Sequence, residues 1–112
     1  MNKQETQKFF QLILNKNFKE AEEMLEQIKT KLEKSPENFG YLKALEGLIL
    51  TFKSTDEKLY LKKLIETTDE KELNRLKNEF SIHVKNELHA DYDRGYFKAL
   101  LDYLNFLKKP KL

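Results

Sequence analysis

Apolar residues recur along this chain at steps of three and four, and nowhere in the strict alternation of a half-buried strand. The spacing predicts a first helix from about Lys3 to Asn15, with Phe9, Leu12, Ile13 and Lys16 on one helical period. Asn15-Lys16-Asn17 reads as a short polar turn, with Asn17 as the N-cap of a second helix. That helix carries Phe18, Ala21, Leu25, Ile28 and Leu32, the cleanest amphipathic stripe in the chain. Ser35-Pro36-Glu37 then joins a capping hydroxyl, a proline suited to the first helical position and a carboxylate for the positive end of the dipole. The third helix it starts bears Leu42, Leu45, Ile49 and Phe52 on one face, with Tyr41, Ala44 and Leu48 beside them. So wide a band predicts a central helix contacted from two sides.

Ser54 and Glu57 stand at capping-box spacing and predict a short helix through Leu61, Leu64 and Ile65. Thr67-Thr68-Asp69-Glu70 repeats the device before a longer helix with Leu73, Leu76, Phe80, Val84 and Leu88. The polar run from His89 to Arg94 leads into a last helix presenting Phe97, Leu100, Leu101, Leu104 and Leu107. Short connections favour antiparallel neighbours. The expected fold is therefore all-α: a compact single-domain bundle of about six short antiparallel helices across residues 1–107. Lys108 to Leu112 reads as a flexible, lysine-rich tail.

One phrase occurs twice. Gly40-Tyr41-Leu42-Lys43-Ala44-Leu45 returns 55 residues later as Gly95-Tyr96-Phe97-Lys98-Ala99-Leu100. Gly40 and Ala44, like Gly95 and Ala99, are small residues four apart, a spacing that lets a second helix approach closely. Ala21 and Leu25 fall opposite Leu76 and Phe80 at the same offset, so two related helical hairpins are an open possibility.

Phe18, Ala21, Leu25 and Ile28, with Pro36 downstream, resemble the second half of a tetratricopeptide repeat. Tyr41, Leu45 and Gly47 faintly resemble the opening of a next one, so the likeness spans about residues 9–52. It implies hairpin packing with Ala21 where two helices cross. The first helix lacks the family's Leu-Gly pair, and nothing after Phe52 keeps the period. In general style the chain also resembles small archaeal all-α proteins, a likeness that implies no function.

The chain has no cysteine, which excludes disulfides, thiolate catalysis and thiolate zinc sites. No apolar run approaches bilayer length and the N-terminus carries no signal-peptide core, so no membrane is expected and the expected location is cytoplasmic. A net charge of +2 announces no nucleic acid by itself. Lysine clusters at Lys29-Lys31-Lys34, Lys58-Lys62-Lys63 and the C-terminus keep a non-specific nucleic-acid surface as the alternative. The positive charge is nearly all lysine, whereas bidentate phosphate or base recognition favours arginine, here limited to Arg75 and Arg94.

The densest polar and aromatic cluster runs from Glu79 to Tyr96. A helix stacks Glu79, His83 and Glu87 on one face, and His89, Asp91 and Asp93 follow at alternate positions. Histidine among carboxylates is the composition of a divalent-metal or general-base site. The same residues serve equally as surface partners and helix caps, and Arg94 beside Asp91 and Asp93 as a local ion pair. Tyr41 and Tyr96 could turn hydroxyls toward a ligand or sit at the boundary with rings buried. With no phosphate loop, zinc-protease helix or nucleophile elbow in sight, neither catalysis nor a cofactor or metal is expected. The favoured reading is a non-enzymatic helical module that binds another protein or a second copy of itself.

Overall fold

A computed structural model describes residues 3–56, 59, 61–86 and 90–107. Six helices carry the described chain: α1 (Lys3–Leu14), α2 (Phe18–Lys31), α3 (Pro36–Lys53), α4 (Lys62–Glu66), α5 (Glu70–Lys85) and α6 (Asp91–Leu107). They gather around one apolar core, with principal extents of 36 × 36 × 34 Å. The expected all-α bundle is what forms. The expected tail, Lys108 to Leu112, lies outside the described residues, as do Glu57, Lys58 and Leu88.

The helix ends show which local signals act. Ser35 caps α3 as its sequence predicts, its Oγ accepting from the Asn38 N–H at 3.1 Å with Pro36 at the first turn. Asn17 precedes α2 but makes no side-chain cap. The turn is instead fixed from behind, as Lys16 N–H donates to Ile13 O (3.1 Å) and Asn17 N–H to Leu12 O (2.8 Å). This pair of bonds is a Schellman closure, and it places Lys16 in the left-handed region (φ 61°), so Lys16 is not part of the α1 stripe.

Ser54 does not start a helix directly. Its Oγ accepts from the Asp56 N–H at 2.9 Å in a local turn, and α4 begins at Lys62. Thr67 closes α4, its hydroxyl donating to Lys63 O, while Asp69 caps α5 by accepting from the Lys71 N–H at 3.1 Å. The second capping device thus begins at Asp69 and not at Thr67.

Helix α3 is central, with buried residues on both faces, and it packs against α2, α4 and α6. The hairpin of α2 and α3 is antiparallel: Lys53 Nζ meets Glu22 Oε1 at 3.0 Å, and Lys29 Nζ meets Glu46 Oε1 at 2.5 Å. The most extensive interface, α3 with α6, joins helices far apart in sequence and runs in one direction. Glu37 lies against Gly95 near the helix starts, and the Phe52 and Tyr103 rings meet at 6.4 Å toward the ends. Short connections impose antiparallel order on consecutive helices alone, and this pair is free of them.

The 55-residue offset organises the whole fold. Shifted by 55, α3 becomes 91–108, against the observed Asp91–Leu107 of α6, and α2 becomes 73–86, against Glu70–Lys85 of α5. Contacts obey the same exchange: α1 of the first half packs on α6, and α4 of the second half packs on α3. Each half therefore completes the other's core. Two aromatics missed by the simple stripes, Phe10 and Tyr103, sit fully inside, their rings edge-on at 5.5 Å.

Candidate functional site

The predicted cluster before α6 does not assemble into a site among the described residues. Glu87 and His89 lie outside them. Glu79 turns back to Arg75 (3.1 Å), which Glu72 holds from the other side, so it does not join His83. The His83 ring stacks on Phe97 with centroids 4.3 Å apart and planes 17° apart. Asp91 Oδ1 accepts from Arg94 Nη2 at 2.6 Å, the local ion pair that their spacing suggests. Arg94 Nε is buried with no hydrogen-bond partner among the described residues. Asp93 is exposed in the first turn of α6, and Tyr96 packs edge-on against Phe97. No group of three or more His, Asp or Glu is placed to hold a metal among the described residues.

The lysine clusters are partly consumed by the fold. Lys29 bonds Glu46 across the α2–α3 hairpin, and Lys62 Nζ donates to Ser54 O at 2.7 Å. Lys58 and the C-terminal lysines lie outside the described residues. The bond that Lys29 donates to Glu46 holds its ammonium above the ordinary pKa, and the same bond lowers the Glu46 carboxyl.

Helix α3 contributes to two concave features among the described residues. The first is a shallow groove along the α2–α3 hairpin. Leu25 and Ile49 form its floor, Leu50 stands over it 63% exposed, and Glu22, Glu23, Glu26 and Glu46 rim it with Lys19. The Lys53–Glu22 and Lys29–Glu46 pairs bracket its two ends. Further along α3, Phe39 is 52% exposed. Phe39 and Leu50 are eleven positions apart, about three helical turns, so they share one face of α3 ~16 Å apart. Packing does not require apolar residues there, because their counterparts 55 residues later are Arg94 and Asn105.

The second feature is a cleft of about 550 Å³ where α1, the start of α3 and α6 converge. Its floor is polar. Tyr41, 8% exposed, donates its hydroxyl to Asp102 Oδ2 at 2.7 Å, and buried Thr6 lines the cleft beside them. Burial, then the Asp102 charge, drives the Tyr41 phenol far above the ordinary range, so it remains a neutral donor. Phe10, Leu32 and Phe106 supply apolar walls, while Lys3 and Lys98 stand exposed around it.

Sequence reasoning singled out Tyr41 but not Thr6 or Asp102, which read as ordinary surface letters. The offset holds a signal that could have found them. At the corresponding places in the other half stand Leu61 for Thr6 and Gly47 for Asp102, and a methyl on Gly47 would lie 3.2 Å from Leu61 Cδ1. One half closes this position with apolar contact, while the other opens it around a carboxylate. Comparison with protein-family models, curated proteins and solved structures finds no match to the chain.

Proposed function

We propose that this chain is a non-enzymatic helical module that binds another protein through the outer face of the α2–α3 hairpin. The occupant that fits is an amphipathic helix with a basic polar face. The observation carrying this reading is Leu50, a large apolar side chain left mostly in water above an apolar floor and among four carboxylates. An apolar partner side chain would cover Leu25, Ile49 and Leu50, while a flanking lysine or arginine would meet Glu23, since Lys53 already engages Glu22 and Lys29 engages both Glu26 and Glu46. Phe39, on the same face, offers a second anchor three turns away. Hairpin packing of α1 on α2, with Ala21 fully buried between helices, gives such a module a rigid platform.

The test is fluorescence anisotropy with a labelled Leu/Lys amphipathic peptide of about 14 residues, long enough to span the groove. Binding should weaken about tenfold or more in Leu50→Ser, and it should fall as salt rises. Leu50 is exposed, so that variant keeps its fold and its melting curve. Equal binding of a scrambled peptide of the same composition would contradict the proposal, as would wild-type affinity in Leu50→Ser. Sedimentation of the chain alone provides the second arm. A dimer lost in Leu50→Ser would assign the groove to a second copy. Salt-sensitive retention of DNA or RNA with no peptide binding would favour the nucleic-acid alternative instead.

A further inference from the structure

The cleft between α1, α3 and α6 is distinct from the hairpin groove and has a different chemistry. Its volume of about 550 Å³ falls in the range of small-molecule sites, roughly 300–1,000 Å³. Its polar floor is not a requirement of the fold. The pseudo-equivalent positions are Leu61 and Gly47, which carry neither a hydroxyl nor a carboxylate in their side chains. Thr6 and Asp102 therefore add a feature that the other half does without.

Asp102 is half-buried and has one oxygen committed. Its Oδ2 accepts from Tyr41, and no further hydrogen bond or ion pair engages it among the described residues. Tyr41 itself is buried, so its bond orients the carboxylate and leaves Oδ1 to accept from a donor. A fixed carboxylate beside Phe10, Leu32 and Phe106 suits a ligand with one charged donor and an apolar body. We infer that this cleft binds a small organic amine, its ammonium donating to Asp102 and its aromatic or branched aliphatic body lying against Phe10 and Phe106. An anion of the same shape would meet the Asp102 charge at the floor. Lys3 and Lys98 are exposed at the rim, where solvent screens them.

The experiment is a two-dimensional amide NMR titration of the full chain with 2-phenylethylammonium, 2-phenylethanol and phenylacetate. The ammonium should shift the resonances of Thr6, Tyr41, Asp102 and Asn105 saturably, the alcohol more weakly, and phenylacetate not at all. Asp102→Asn retains a carbonyl acceptor for Tyr41 and hence the fold, and it should weaken the ammonium about tenfold or more. Lys98→Ala should leave that affinity unchanged or raise it. Equal binding of the ammonium by Asp102→Asn would overturn the assignment. So would preference for phenylacetate lost in Lys98→Ala, which would make the cleft an anion site. Because Leu50 is remote from these residues, Leu50→Ser should leave the amine titration intact even if the groove fails its own test.

Discussion

Gly40 and Gly95 occupy each other's approach path in reciprocal fashion. A methyl on Gly40 would lie 1.9 Å from the Tyr92 carbonyl oxygen, and one on Gly95 would lie 1.9 Å from the Glu37 carbonyl oxygen. Each carbonyl belongs to the residue three positions before the other glycine. The repeated phrase is thus a single crossing seen from its two sides, close enough for Cα–H···O contact.

Alanine at either glycine must push backbone from backbone, which no rotamer change relieves. Gly40→Ala and Gly95→Ala should each destabilise the fold by about 3 kcal/mol, despite alanine's better helix propensity. Gly47→Ala should behave oppositely. Its nearest neighbour is the end of the flexible Leu61 side chain at 3.2 Å, so the propensity gain should roughly offset the crowding, a change within about 0.5 kcal/mol. Urea unfolding of the three variants measures the contrast, and similar losses in all three would contradict it.

Lys16 marks a site where the chain is strained without evident use. Its φ of 61° closes the α1–α2 turn in a conformation that costs an ordinary side chain about 1–2 kcal/mol. Lys16→Gly should stabilise the protein by about 0.5–1 kcal/mol, seen as a higher urea midpoint at unchanged slope. Lys16→Val should move the midpoint down.

Stability should decline from about pH 10 upward. Burial pushes the Tyr103 phenol up to about 12, and burial with the Asp102 charge raises Tyr41 further. Both folded pKa values lie above the unfolded one, so both contributions are intact below pH ~10 and are lost as pH rises through the folded values. Tyr41→Phe should cost about 1–2 kcal/mol at neutral pH through the bond to Asp102, and it should flatten the alkaline loss. Chemical unfolding between pH 8 and 11, as a function of variant, reads both effects. An alkaline limb unchanged in Tyr41→Phe and Tyr103→Phe would place its cause elsewhere, for instance at Lys29, whose pKa is also raised.

The helical elements were legible because their apolar residues keep a period of three and four, and because Ser35 and Pro36 are a local signal needing no tertiary help. Small residues in the repeated phrase likewise announced a close approach. What the period could not convey was which helix approaches which. Phe10 neighbours Phe9 and falls beside the α1 stripe, yet it is buried because α6 brings Tyr103 and Phe106 against it. Among the described residues, members of the candidate cluster turn to other partners for a related reason. Helical spacing aligned Glu79 with His83, but Arg75 on the same helix takes the carboxylate and Phe97 on α6 takes the ring. Thr6, Tyr41 and Asp102 meet because three helices converge, a relation that appears in sequence solely as polar exceptions to the 55-residue repeat. Leu50 was legible as apolar and illegible as exposed, since a helix apolar nearly all round does not declare which face its neighbours leave open.

A chemical-shift map of the isotopically labelled chain with the unlabelled Leu/Lys amphipathic peptide tests the docking assignment most directly. Saturable changes at Leu25, Glu26, Ile49 and Leu50, extending to Phe39 and sparing Thr6 and Asp102, are the predicted result. Changes confined to α5 and α6, or none near Leu50 at saturating peptide, would contradict it.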